Sequence, residues 1–99
     1  MSSEDFYRDL ETATKIVCVS RKYDLTLNQM FTLASLYRGC SDYGELQQKS
    51  GLALPQFSRD VIGPLRGRKC VTPRRSGKPL SMTKKGRNLF EKVMREEGY

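Results

Sequence analysis

The stretch that decides the fold reads Asp42-Tyr-Gly-Glu45-Leu, then Ser50-Gly51-Leu-Ala-Leu54-Pro55-Gln-Phe-Ser-Arg59, then Val71-Thr-Pro-Arg74-Arg75-Ser76-Gly77-Lys78-Pro79-Leu-Ser-Met82. Asp42 with Glu45 three positions later is a capping-box-like start, with Asp in place of the usual Ser or Thr. Leu46 closes the short helix inward and Gly51 supplies a turn. Pro55 suits the first position of a following helix, where its missing amide hydrogen costs nothing. Ser76-Gly77 between two short runs predicts a tight hairpin. The order helix, turn, helix, basic hairpin predicts a mainly α chain with a small β-hairpin wing: a winged helix-turn-helix, with the helix-turn-helix at 42–68 and the wing at 70–82.

The second helix of this unit has two chemically distinct sides. Phe57, Val61, Ile62 and Leu65 recur at helical spacing on one; Gln56, Arg59, Asp60, Gly63 and Arg66 fall on the other. Such a helix suits a DNA groove: glutamine pairs with adenine, arginine with guanine, and Ser58 beside them reaches a phosphate or a base edge. The competing reading of Arg59-Asp60 is an internal charge pair on a solvated helix. Gly63-Pro64 predicts either a kink or a stop near Ile62 with a restart, because proline removes a backbone hydrogen bond. In the hairpin, Pro73 and Pro79 lack donors, which fits a small exposed wing. Arg74, Arg75 and Lys78 surround its tip, where they suit the minor groove or neighbouring phosphates. Lys84, Lys85 and Arg87 open the last helix against its dipole and are expected to add general positive potential.

Outside this unit lies scaffold. Phe6, Leu10, Ala13 and Val17 form one stripe of an N-terminal helix (1–22) capped by Ser2 or Ser3, a surface for a partner subunit or a wide core. A second helix from about Thr26 to Arg38 is apolar on most faces, as a central buried helix would be, and Gly39 ends it. Thr83 caps a last helix (83–99) with a Leu89, Phe90, Val93, Met94 stripe, core or in part a dimer seam. Residues 1–99 read as one domain, without repeats or a long linker.

The chain of 99 residues carries a net charge of +7, unevenly placed. Residues 1–49 hold six Lys/Arg against seven Asp/Glu; residues 50–99 hold twelve against four. Between Arg59 and Arg87 ten bases face one acid, Asp60. A basic half on a neutral half points to a polyanion partner. There is no histidine, no Gly-x-Gly-x-x-Gly and no phosphate-binding loop around Gly77-Lys78, so no catalysis and no cofactor is expected. Cys18, Cys40 and Cys70 are widely spaced, which argues against a metal site and for reduced, packed thiols; a redox-sensing thiol is the sharper alternative. No apolar run approaches the roughly 20 residues of a membrane span, and no signal peptide precedes the first helix, so the cytoplasm is the expected place.

Leu25-Thr-Leu-Asn-Gln29 opening a helix, Gly44-Glu-Leu46, Ser50-Gly-Leu52, Pro55 with Ser58-Arg59, Leu65, and Thr83-Lys-Lys-Gly86 together resemble the MarR-type winged-helix regulators over residues 25–95. The resemblance implies a homodimeric repressor or activator on a pseudo-palindromic site of double-stranded DNA, joined through the N- and C-terminal helices. Ser58 and Arg59 then fall in the recognition helix and Arg74 to Lys78 in the wing. The chain departs from the family in being short, with a truncated wing and less terminal helix, and in carrying Gly63-Pro64 inside the recognition helix. Two other partners use the same features. Winged helices also serve as protein–protein docking modules of replication or transcription machinery, and a basic face can meet structured RNA.

Overall fold

The computed structural model of the chain describes residues 2–72 and 79–99. Helix α1 spans Ser3–Lys22. The Ser2 hydroxyl accepts from the Asp5 amide at 3.2 Å, with Glu4 and Asp5 at the positive end and Arg21 and Lys22 at the negative end. α2 spans Leu27–Tyr37 and begins in a full capping box. The Thr26 hydroxyl accepts from the Gln29 amide, and the Gln29 Oε1 accepts from the Thr26 amide, both at 3.1 Å. α3 spans Tyr43–Ser50, with an Asp42 oxygen accepting from the Glu45 amide. Gly51 closes α3 at φ +74, a conformation that glycine adopts without steric penalty.

Three short pieces then run end to end: α4 (Leu54–Phe57), a π-helical turn (Ser58–Ile62) and α5 (Gly63–Gly67). Pro55 is the second rather than the first helical residue, still inside the turn whose amides lack intrahelical partners. The helix neither stops nor breaks at Gly63-Pro64. Pro64 has no amide proton for the carbonyl four residues back, so the Asp60 carbonyl would be left without its helical donor. The Gln29 side chain on α2 fills that place, Nε2 donating to the Asp60 oxygen at 3.0 Å. The Gly63 amide reaches five residues back to Ser58, which widens the turn to π geometry. The helix therefore runs through the proline, with a π turn as the accommodation.

From 68 to 83 the chain doubles back. Val71 and Met82 form an antiparallel bridge, and the Thr72 amide donates to the Ser81 carbonyl at 2.9 Å. Among the described residues this pairing does not extend into a strand, and the expected hairpin tip at 73–78 lies outside them. α6 spans Lys84–Glu96. Thr83 caps it, accepting from the Gly86 amide and donating its own hydroxyl proton to the Lys69 carbonyl at 2.6 Å. The first turn of α6 rests directly on the backbone of Cys70: a Cβ at Gly86 would lie 2.2 Å from the Cys70 oxygen.

α2 is the hub, in contact with α1, α3, the π turn and α6. Leu33 on α2 and Leu46, Phe57, Leu65, Val71 and Leu80 elsewhere are fully buried in the core. α2 is buried over most of its surface, as a central helix would be; of its residues only Leu27 and Phe31 (46 % exposed) are exposed. Of the two readings of the α1 stripe, the wide core is the one set aside: Phe6 is 57 % and Leu10 50 % exposed, and burial begins only near Ile16. Cys70 is buried and Cys40 half-buried, but Cys18 is exposed and so is not a packed thiol. No helix among the described residues is long and apolar enough to cross a membrane.

Candidate nucleic-acid interface

The helix at 54–67 fixes the candidate interface by burying one side. Phe57, Val61, Ile62 and Leu65 are all within the core, and Phe57 also meets Tyr43 edge-to-face at 5.3 Å between centroids. The same anchoring turns Gln56, Ser58, Arg59 and Asp60 to solvent together. Arg59 is engaged at its base. Its Nε donates to one Asp60 carboxylate oxygen at 2.9 Å and its Nη2 to the other at 3.3 Å, with the Arg59 side chain 73 % and the Asp60 side chain 47 % exposed. The pair that was the competing sequence reading is therefore formed, yet the guanidinium still projects outward. The hydrogen bond from Arg59 holds the Asp60 carboxyl below its ordinary value, with a smaller contribution from the Gln56 amide. Asp60 in turn raises Arg59.

Ser58, expected to reach a phosphate or a base edge, is exposed, and its hydroxyl has a partner within the chain. It shares a short hydrogen bond with the Tyr43 hydroxyl, which ties the start of α3 to the π turn. Tyr43 is thus a polar group at the edge of the exposed face. Its ring packs inward against Phe57.

The second group of basic residues lies at the start of α6. Lys84 and Lys85 are exposed. Arg87 is turned onto α2, its guanidinium carbon 4.9 Å from the centre of the Tyr37 ring, which itself packs on Phe90. Part of Arg87 is therefore spent on a cation–π contact that holds α6 to α2. Arg68, which sequence reasoning left unassigned, donates to the Asp24 carbonyl at 2.9 Å and closes the link between α1 and α2. Arg74, Arg75 and Lys78 lie outside the described residues. Among the described residues Arg59 is the one basic side chain between 59 and 87 held in a salt bridge. Also among them, no three His, Cys, Asp or Glu side chains gather as a metal site would require.

On the far side of α2 from Asp60, a groove of about 260 Å³ opens between α1, α2 and α6. Ile16, Leu27, Phe31, Phe90, Met94 and Tyr99 line it, and its walls are apolar.

No family model matches the sequence, and no curated protein matches it. Solved structures do. The chain superposes on MepR, a transcription regulator of the Staphylococcus aureus multidrug efflux pump MepA, with a TM-score of 0.79 at 18 % identity, over 98 % of this chain and 77 % of that one. A point variant of S. aureus MepR bound to an oligodeoxyribonucleotide gives 0.74 at 19 % identity, over 97 % and 76 %. The transcriptional repressor CouR, bound to p-coumaroyl-CoA, gives 0.72 at 22 % identity, over 90 % and 64 %. At these identities the likeness is one of fold: the chain has the fold of these MarR-type regulators.

Proposed function

We propose that this chain is a sequence-specific regulator of transcription that binds double-stranded DNA as a homodimer on a pseudo-palindromic site. The observation that carries the reading is the exposed row Gln56, Arg59, Asp60 on a helix whose opposite side is locked into the core, within a fold shared with transcription regulators. In this reading residues 1–99 act as one winged domain and the helix at 54–67 enters the major groove. Gln56 and Arg59 read base edges there. Ser58, bound to Tyr43, contributes to phosphate contact through the pair of hydroxyls. Residues 70–82 form the wing, Arg74, Arg75 and Lys78 at its tip engage the backbone, and Lys84 and Lys85 add charge with part of Arg87. The role is binding rather than catalysis, and its place is the cytoplasm.

The dimer is argued from area left bare. Leu27 and Phe31 on α2 and Tyr99 beyond α6 are exposed apolar side chains that line one groove, and Phe6 and Leu10 on α1 are exposed as well. Covering them with a second copy removes that surface from water and sets two reading helices side by side. The same bare surface favours a second reading, a protein–protein docking module of replication or transcription machinery.

Fluorescence anisotropy with labelled duplex from upstream of the protein's own gene, against a scrambled duplex at two salt concentrations, separates the two. Sedimentation is run alongside. Selective binding by a dimer that survives the higher salt supports the regulator. A monomer that binds neither duplex even at low salt supports the docking module.

A further inference from the structure

Asp60 is the one acid among ten bases between Arg59 and Arg87, and it sits on the face proposed to meet DNA. An acid there opposes phosphate contact, so its placement asks for a reason. Its geometry supplies one. Both carboxylate oxygens are bonded by Arg59, and by the side-on edge of the guanidinium, Nε and Nη2. A guanidinium has five N–H donors in a rigid fork. With the side-on edge taken, the end-on edge formed by Nη1 and the second proton of Nη2 remains, and two parallel donors of that kind match O6 and N7 of guanine. The backbone of the same residue is gripped from the other side, where Gln29 Nε2 donates to the Asp60 carbonyl in place of the absent Pro64 amide. Asp60 is therefore anchored through its main chain to the core helix α2 and through its side chain to the proposed base reader.

We propose that Asp60 is a positioning residue for base readout, holding Arg59 by its side-on edge so that the end-on edge is preset for one guanine, while its charge repels phosphate and suppresses contact with unrelated DNA. The inference rests on the DNA-binding reading above. A long arginine otherwise samples many rotamers, and an unpaired one settles on phosphates as readily as on a base.

The test is selection from a randomised duplex library with the full chain and with Asp60→Asn, Asp60→Glu and Arg59→Ala. Anisotropy on an unrelated duplex is measured for each. Asp60→Asn leaves intact the main-chain carbonyl that Gln29 grips, and thermal melting checks that each variant is folded. The expected result is a motif with a guanine position that Arg59→Ala flattens. Asp60→Asn lowers the preference at that same position roughly tenfold, leaves the other positions alone and raises affinity for the unrelated duplex. Asp60→Glu restores the preference in part. An Asp60→Asn variant that enriches the wild-type motif with undiminished guanine preference overturns the inference and leaves the DNA reading standing. A wild type that enriches no motif overturns the DNA reading and this inference with it.

Discussion

Gln29 Nε2 donates to the carbonyl oxygen of Asp60 at 3.0 Å, across 31 positions of sequence, and so replaces the hydrogen bond that Pro64 cannot make. The same side chain accepts from the Thr26 amide through Oε1, so one buried amide closes the cap of α2 and the gap in the helix at 54–67. Two neutral hydrogen bonds at a site 6 % exposed make Gln29 a structural joint between the scaffold and the proposed reading helix.

Replacing Gln29 with Leu strands the Asp60 carbonyl and the Thr26 amide together. A fully buried polar group left unpaired costs about 1–3 kcal/mol; both bonds here are only partly buried, so urea unfolding should register a loss at the lower end of that range. The loss should shrink in a Pro64→Ala background, where residue 64 regains an amide to offer. A double-mutant cycle with no coupling between the two positions would refute the substitution of one donor for the other.

Gly86 and Gly67 should respond to alanine in opposite directions. A Cβ at Gly86 falls 2.2 Å from the Cys70 carbonyl oxygen, a backbone atom that cannot turn aside. Gly86→Ala must push α6 off the 70–72 segment, and a loss of about 3 kcal/mol or failure to fold is expected. A Cβ at Gly67 meets nothing within 4 Å. Gly67→Ala should stabilise by about 0.5 kcal/mol through a less flexible unfolded chain. Thermal melting of both variants is the check.

The proposed contacts differ in kind, and salt tells them apart. Arg59→Ala should weaken binding to the preferred site by about 1–3 kcal/mol and relax one base position. Arg75→Ala should weaken all duplexes alike and lower the slope of log affinity against log salt by about one. Equal loss on every sequence would demote Arg59 to a phosphate contact, and an unchanged slope for Arg75→Ala would remove the wing from the DNA.

The Arg59–Asp60 pair carries a pH signature. Arg59 depresses the folded-state value of Asp60 below the 3.8 of a free aspartate. The pair's contribution is therefore complete above that ordinary value and is lost as pH falls through the depressed one. At neutral pH it is fully present. Following the Asp60 carboxyl carbon by NMR should give a midpoint below 3.8, and Arg59→Ala should move the midpoint upward. A midpoint indifferent to Arg59→Ala would mean that the two groups do not meet in solution.

The bare apolar face predicts assembly. Phe6→Glu and Phe31→Glu each place a charge on it without touching the core, since both side chains are about half exposed. Sedimentation equilibrium should show dimer for the wild type and a shift toward monomer for each variant. Melting of the monomeric variants at low concentration should remain cooperative, because the core residues Leu33, Phe57 and Leu65 are fully buried within one protomer.

Local chemistry made much of this chain readable in advance. Ser2, Thr26, Asp42 and Thr83 each cap the helix that follows, and Gly39 and Gly51 adopt the left-handed conformation at the ends of theirs. The spacing of Phe57, Val61, Ile62 and Leu65 identified the inner side of the helix at 54–67, and with it the outward row Gln56, Arg59, Asp60. These signals are legible because a cap or a helical period is completed within about one turn of chain. What the tertiary structure alone decided are the relations between residues far apart in sequence. Gly63-Pro64 left two outcomes open, and the continuous helix with a π turn depends on a donor from Gln29 on another helix. The contacts of Arg87 with Tyr37 and of Ser58 with Tyr43 likewise arise only from how the helices pack. The stripe on α1 has the same helical period whether it is buried or bare; only the position of the other helices determines that Phe6 and Leu10 are left in water. Periodicity specifies which side chains share a face, but the neighbour that satisfies a stranded carbonyl or covers an apolar stripe is set by how the helices pack.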